Sequence, residues 1–280
     1  METNSAAGAG PSGTTSDPAV LLVADQKDPA VAVVTLNRPA KRNSLTIDLK
    51  EALLTALERV ATDPSVRAVV LAGSGKSFCV GQDLAEHAKA LATDPATALA
   101  TVEKHYNPIV RTIATMPKPV VAAINGGAVG AGLGFALACD LRVAADTATF
   151  ATAFAAIGLT ADSGLSASLV HSLGAARATE LLLLGESFDA AQAQAFGLVR
   201  AVVPAEEVLA AALALARRLA AGPTLAYAEI KQAIALGATS PLDAVLEAEG
   251  AAQARLGVTQ DHQGAVEAFL AKRPPRFEGT

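Results

Sequence analysis

The chain has 280 residues, 51% hydrophobic and 18% charged, enough apolar surface for one large core or two modest ones and too much for global disorder. A net charge of −5 without any Lys/Arg run argues against nucleic acid as a partner. Cys79 and Cys139 lie in apolar stretches with no CxxC spacing, so neither a disulfide framework nor a zinc site is expected, and a reducing, cytoplasmic setting fits.

Residues 1–19 are small and polar and lack the basic and apolar regions of a secretory signal, so they read as a disordered tail. Residues 30–39, "AVAVVTLNRP", are valine-rich and stop at a proline, which predicts a strand. Residues 45–64 carry helical periodicity, with a start signal at Thr46 and a stop at Asp63-Pro64. Residues 66–75 form a buried strand running into a turn, a helix begins near Asp83, and a second helix covers residues 96–115. Residues 118–126 are again a strand, followed by a short helix at "AGLGFALACD" and short strands at "LRVAAD" and "ATFAT". From there to Leu184 the pattern is helical, and a short helix and a strand follow in "FDAAQAQAFGLVRAVVP". After Val208 the chain is helical, with a break at Gly222-Pro223. Alternating strands and helices predict an α/β core with crossover connections over residues 20–222, and the helical region over 223–280 suits oligomerisation.

Residues 119–139 carry no charge and are long enough to span a bilayer. They also hold Asn125 and five glycines and run directly into Asp140 and Arg142, so strand, glycine turn and buried helix explain them better than a membrane span. "GSGKS" at residues 73–77 ends like a phosphate-binding P-loop, but Val70 stands where the first glycine of that cradle belongs. "GAVGAGLG" at residues 127–134 lacks the GxGxxG spacing and the later acidic residue of a dinucleotide site. The four histidines are scattered, which suggests neither a metal centre nor a catalytic triad.

Two turns share one physical character. "SFCVGQDL" (residues 77–84) and "NGGAVGAGLG" (residues 125–134) each leave a buried strand and enter a helix through small or flexible residues. Backbone N–H groups at such helix starts are unpaired and lie at the positive end of the dipole. Facing one another, they could hold a developing oxyanion; taken separately, they are ordinary strand-to-helix turns. Asp162, in "IGLTADSGLS", is the one charged residue in a long apolar run between Asp146 and His171. It suits a helix N-cap by its type and setting, and it suits a catalytic base by its isolation.

In order, "LNRPAKRNSL", "FCVGQDL", "KPVVAAINGGAVGAGLGFALACDLRVAAD", "AFAAIGLTADSGLS", "LLLLGESFDAAQAQAFGLVRAVVP" and "KRPPRF" resemble the crotonase (enoyl-CoA hydratase/isomerase) superfamily. The resemblance implies a spiral of ββα units with a C-terminal helical region, assembled as a homotrimer or a dimer of trimers. It implies an acyl-CoA thioester substrate and no separate cofactor or metal, coenzyme A being part of the substrate. It assigns the oxyanion donors to the backbone N–H groups of Gln82 and Ala131, flanked by Gly81, Asp83, Leu84 and Gly130. It points to Lys41 and Arg42 for the coenzyme A phosphates, and to Phe269 and Lys272 for the adenine pocket of a neighbouring subunit.

The hydratases of that family use two glutamates, and the matching positions here are Gly134 and Phe154, neither of which can transfer a proton. Asp162 matches the single acid/base of the ring-epoxide isomerases that act on phenylacetyl-CoA derivatives. Isomerisation of an acyl-CoA is therefore the expected reaction, with hydration and a non-catalytic acyl-CoA-binding role as alternatives. Apolar neighbours would raise the Asp162 pKa, whereas helix-start N–H groups would lower it. Asp83 is read principally as an N-cap, Asp140 and Arg142 as a structural pair, Glu86 and His87 as exposed, and the two cysteines as core residues.

Overall fold

A computed structural model describes residues 17–280; all but the last three residues of the expected tail over 1–19 lie outside the described residues. Two sheets form the core. The large one has the order β1 (Val20–Ala24), β2 (Val31–Leu36), β3 (Ala68–Gly73), β5 (Val120–Ile124), β7 (Leu141–Ala145), β10 (Ala201–Val203). Only the β1–β2 pair is antiparallel. The small sheet has the order β4 (Ser77–Cys79), β6 (Gly127–Val129), β8 (Thr149–Ala151), β9 (Phe188–Asp189), parallel except at its β9 edge.

The chain therefore repeats one move: a strand in the large sheet, a short strand in the small sheet, then a helix. β3 and β4 lead to α2 (Leu84–Thr93), and β5 and β6 lead to α4 (Ala131–Ala138). This is the spiral of ββα units that the sequence implied. The central strands β3 and β5 are buried on both faces, which is why they read as unbroken apolar runs rather than alternating ones. α7 (Val208–Ala220) packs on β3, β5 and β7, and α1 (Ile47–Thr62) packs on β1 and β2. α1 starts where the sequence placed it, with the Thr46 hydroxyl accepting from the Leu49 N–H.

The expected helix over 96–115 is shorter. Residues 95–100 are turns, a π-turn spans Val102–Tyr106, and α3 covers Asn107–Thr115. Pro108 explains this, because it lacks the N–H needed to continue a helical ladder; the turn before it widens, with the Asn107 N–H donating to the Val102 carbonyl.

Residues 119–139 fold as β5, β6 and α4, and most of them are buried. No single helix among the described residues is long and apolar enough to cross a membrane. After α5 (Leu165–Leu184) and α6 (Ala190–Ala195), the helical region beyond Gly222-Pro223 comprises α8 (Thr224–Gly237), α9 (Leu242–Leu256) and α10 (Gln260–Leu270). It is tied to the core by Arg67, whose guanidinium donates to Thr224 Oγ1 and to the carbonyls of Gly222 and Phe277. A second tie joins Lys231 to Asp140 at 2.8 Å. This corrects the expected Asp140–Arg142 pair: Asp140 bonds Lys231 and the Val120 N–H, while Arg142 donates to the carbonyls of Leu198 and Cys139.

Candidate active site

The two strand-to-helix turns meet. Gly81 adopts φ +83, a left-handed conformation that β-carbon-bearing residues resist. A β-carbon there would stand 3.0 Å from the Val129 carbonyl oxygen and 3.7 Å from the Ala131 nitrogen, so the turn before α2 lies directly against the turn before α4. Leu45 bridges the first turn, donating its N–H to the Gly81 carbonyl and accepting from the Asp83 N–H, which leaves the Gln82 N–H facing the other way. Ala131 is the first residue of α4, after Gly130. Among the described residues, neither the Gln82 N–H nor the Ala131 N–H donates to a protein acceptor.

Gln82 and Ala131 both line one cavity of about 580 Å³. Asp162 lines it together with Lys41, Arg42, Gly81, Gln82, Leu84, Tyr106, Gly130, Ala131 and Phe154, and among the described residues it is the only carboxylate in the wall. A second hollow of about 460 Å³, lined by Leu99, Val102, Asn107 and the start of α5, shares Asp162 with the first.

Asp162 is not a helix cap. The N-cap of α5 is Gly164, in the left-handed region, and among the described residues the Asp162 carboxylate accepts from the Ser163 hydroxyl at 2.7 Å and from no backbone N–H. Desolvation raises its pKa above the ordinary value; the Ser163 hydroxyl and the Lys50 charge oppose this without reversing it. Of the two opposing expectations for this carboxylate, the apolar surroundings prevail.

Gly134, where the resemblance expected a family glutamate, packs against the loop that carries Asp162. A β-carbon on Gly134 would lie 2.6 Å from Ser163 Cβ and 2.7 Å from the Ser163 carbonyl oxygen. The loop carrying Asp162 thus occupies the space that a side chain at residue 134 would need. Ser163 itself is buried and held at φ +53, and Ala153, in the cavity wall, at φ +63. Such non-glycine conformations cost about 1–3 kcal/mol each and persist where the surroundings enforce them.

Other expected residues fall less uniformly. Lys41 and Arg42 are exposed at the cavity rim, Arg42 with φ +51, beside the fully buried Asn43, whose amide donates to the carbonyls of Ser74, Ser77 and Phe78. Leu84 is exposed and lines the mouth. Asp83, expected near the substrate, does not line the cavity: its carboxylate caps α2 by accepting from the Glu86 N–H, and it also binds Ser44 and Arg38. Burial pushes its pKa up, but those three partners together hold it below the ordinary value. Glu86 and His87 are half-buried rather than exposed, and Glu86 accepts from the Ile47 N–H. Phe269, 81% exposed, and Lys272 are not brought to this cavity. Cys79 and Cys139 are buried free thiols, both pushed up to about 12 by desolvation, which suits core residues.

Sequence reasoning missed Lys50 and Tyr106. The Tyr106 hydroxyl and the Lys50 ammonium both donate to Gln82 Oε1, the latter at 3.3 Å. Lys50 is 1% exposed although it lies on the apolar stripe of α1 with Leu49, Leu53 and Leu57. A lysine in such a stripe is the signal that could have found it.

The pattern of one protein family, enoyl-CoA hydratase/isomerase, matches residues 26–280. The chain belongs to the enoyl-CoA hydratase/isomerase family. It is 42% identical over 250 residues to the 1,2-epoxyphenylacetyl-CoA isomerase of Escherichia coli K12, covering 89% of this chain and 95% of that one. It is 37% identical over 260 residues to the 2,3-dehydroadipyl-CoA hydratase of the same organism, covering 92% and 98%. A crystal structure from Mycobacterium abscessus assigned to the enoyl-CoA hydratase/isomerases superposes with a TM-score of 0.89 at 50% identity, covering 94% of this chain and all of that one. An enoyl-CoA hydratase from Polaromonas gives 0.87 at 34%, covering 92% and 99%. Both reaction types thus occur among relatives of this enoyl-CoA hydratase/isomerase, and its own cavity must be read to choose between them.

Proposed function

We propose that the chain is an acyl-CoA thioester isomerase that moves a proton with Asp162 and holds the enolate on the Gln82 and Ala131 N–H groups. The observation that carries this reading is the single carboxylate in a cavity that also receives those two unpaired donors. Adding water across a double bond calls for one group to activate water and another to deliver a proton. Moving a double bond calls for one group used twice. Asp162 takes a proton from the carbon next to the thioester; the electrons of that C–H bond pass to the thioester oxygen, forming a dienolate. The same carboxyl then returns the proton two carbons further on, giving the conjugated thioester. A raised pKa suits both halves, because it makes the carboxylate a stronger base and its protonated form accessible.

The substrate is a β,γ-enoyl-CoA or an aromatic-ring epoxide of the phenylacetyl-CoA type; the E. coli isomerase supports the second. Lys41 and Arg42 offer charge to the coenzyme A phosphates at the rim. Phe269 and Lys272 serve a neighbouring subunit in a trimer or a dimer of trimers, which the exposure of Phe269, Leu270, Ile234 and Leu242 supports. No separate cofactor is required by this route.

The deciding experiment is a turnover panel comparing isomerisation of β,γ-enoyl and ring-epoxide thioesters with hydration of crotonyl-CoA. Isomerisation is expected to dominate; faster hydration, or binding without turnover anywhere in the panel, overturns the reading. The hollow beyond Asp162 is where the acyl group extends. Leu99→Trp is therefore expected to raise KM for acyl chains long enough to reach it by about tenfold, the scale of pocket discrimination, and to leave the shortest substrate unaffected. Equal KM changes for short and long chains would count against that placement.

A further inference from the structure

Lys50 is a buried cation that the route above does not use. Its ammonium forms no ion pair among the described residues; its partners are Thr101 Oγ1 at 2.6 Å, Gln82 Oε1 at 3.3 Å and the Tyr106 ring, 5.2 Å from the ring centroid. Burying an ammonium against neutral partners is unfavourable, and desolvation lowers its pKa. A purely structural role at this position of α1 could be filled by an apolar side chain.

The carboxylates around it are committed elsewhere. Asp83 holds Arg38, Glu86 accepts from the Ile47 N–H, and Glu51 faces His105 at 3.9 Å. His105 itself bonds Thr101, and burial together with the Lys50 charge lowers its pKa. Tyr106 stays protonated, its pKa raised by burial, and its hydroxyl donates a hydrogen bond to Gln82 Oε1. Asp162 is the remaining carboxylate whose charge Lys50 feels, and among the described residues it too lacks an ion partner.

We propose that Lys50 is a positioning residue for proton transfer, a cation behind the cavity wall that tethers the Gln82 side chain and so fixes the residue whose N–H holds the enolate, its charge also easing ionisation of Asp162. The inference rests on the isomerase reading. The tether acts from inside the protein: two donors grip Gln82 Oε1 while the backbone N–H of the same residue faces the cavity. The charge acts on Asp162 as well, offsetting part of the desolvation that opposes its ionisation. When Asp162 takes the proton, the charge passes to an oxygen held at Gln82, the residue that Lys50 touches. A fixed charge there needs no reorganisation as the enolate forms.

The test compares wild type, Lys50→Gln, Gln82→Met and Asp162→Asn on the substrate that wild type isomerises best. Lys50→Gln is expected to lower kcat about tenfold, the scale of a modest displacement or weakened oxyanion stabilisation, with little change in KM. It is also expected to move the acid limb of kcat/KM to higher pH, because a lost cation makes Asp162 harder to ionise. Gln82→Met cuts the tether and keeps the cation, so kcat falls while the acid limb stays put. If Lys50→Gln does not fold, Gln82→Met decides: wild-type kcat in that variant overturns the tether. Unchanged kcat and an unmoved limb in Lys50→Gln overturn the proposal, as does a rise in KM alone. Carbon-13 titration of the Asp162 carboxyl, assigned through Asp162→Asn, needs no turnover. An upward shift in Lys50→Gln supports the coupling even if Asp162→Asn proves active, a result that would remove the acid/base reading instead.

Discussion

Asp162→Asn is expected to lower kcat for isomerisation by about 10²–10⁴-fold, the range for a positioned acid/base, while the Kd of a CoA thioester changes little. The amide keeps the shape and can still accept from the Ser163 hydroxyl, so the two oxyanion donors and the cavity stay in place. A rate within a few-fold of wild type would end the assignment. The same variant carries a stability signature. Because the folded protein raises the Asp162 pKa above its ordinary 3.8, the native state holds that proton more tightly than the unfolded chain does. Stability from this group is therefore fully present below the ordinary value and is lost as pH rises through the raised, folded value. Above the raised value the wild type bears the whole loss and the asparagine variant bears none. The variant should melt higher than wild type at pH 8, with the difference disappearing in acid. Activity should follow the opposite course, with the acid limb of kcat/KM lying above the ordinary aspartate range because the base must be ionised to begin.

The parts of this fold that could be read along the chain are those whose periodicity comes from their own burial. β2, β3, β5 and α1 are long enough for their pattern to declare itself, and Thr46 caps where it should. The three-residue strands β4 and β6 and the two-residue β9 have too few residues to show alternation; pairing with chain segments far away defines them. The site divides the same way. The letters at 134 and 154, glycine and phenylalanine where the resemblance expects glutamates, are visible in the chain and leave Asp162 as the carboxylate expected to act. That Asp162 does not cap α5 could not be read, because capping depends on whether Ser163 and Gly164 both turn left-handed. Lys50 could be noticed only as an oddity in an apolar stripe. Its partners Gln82 and Thr101 lie 32 and 51 positions away, and no local pattern joins them.

Restoring the family glutamate by Gly134→Glu is expected to fail as a route to hydration. The obstacle is backbone rather than a movable side-chain tip. The new β-carbon would press on Ser163 at 2.6 Å and on its carbonyl oxygen at 2.7 Å. Ser163 cannot easily retreat, since it is buried at φ +53 between Asp162 and Gly164, with the Leu165 N–H tied back to the Asp162 carbonyl. Gly134→Ala isolates the steric part and should cost about 1–3 kcal/mol, as overpacking does, seen as a fall in Tm of roughly 3–10 °C. Gly134→Glu adds a buried carboxylate and should fall further. Both should lose isomerase activity, because the displaced loop carries Asp162 out of register with the Gln82 and Ala131 N–H groups, and an error of about an ångström at such a site costs on the order of a hundredfold. A Gly134→Glu enzyme that hydrates crotonyl-CoA at an unchanged Tm would refute this. The loop would then be yielding, and the single-carboxylate chemistry would follow from the missing glutamate alone rather than from the way residues 162–164 fill its place. If both variants behave as expected, a hydratase cannot be recovered here by one substitution, because the loop that positions Asp162 and the glutamate at residue 134 compete for the same volume.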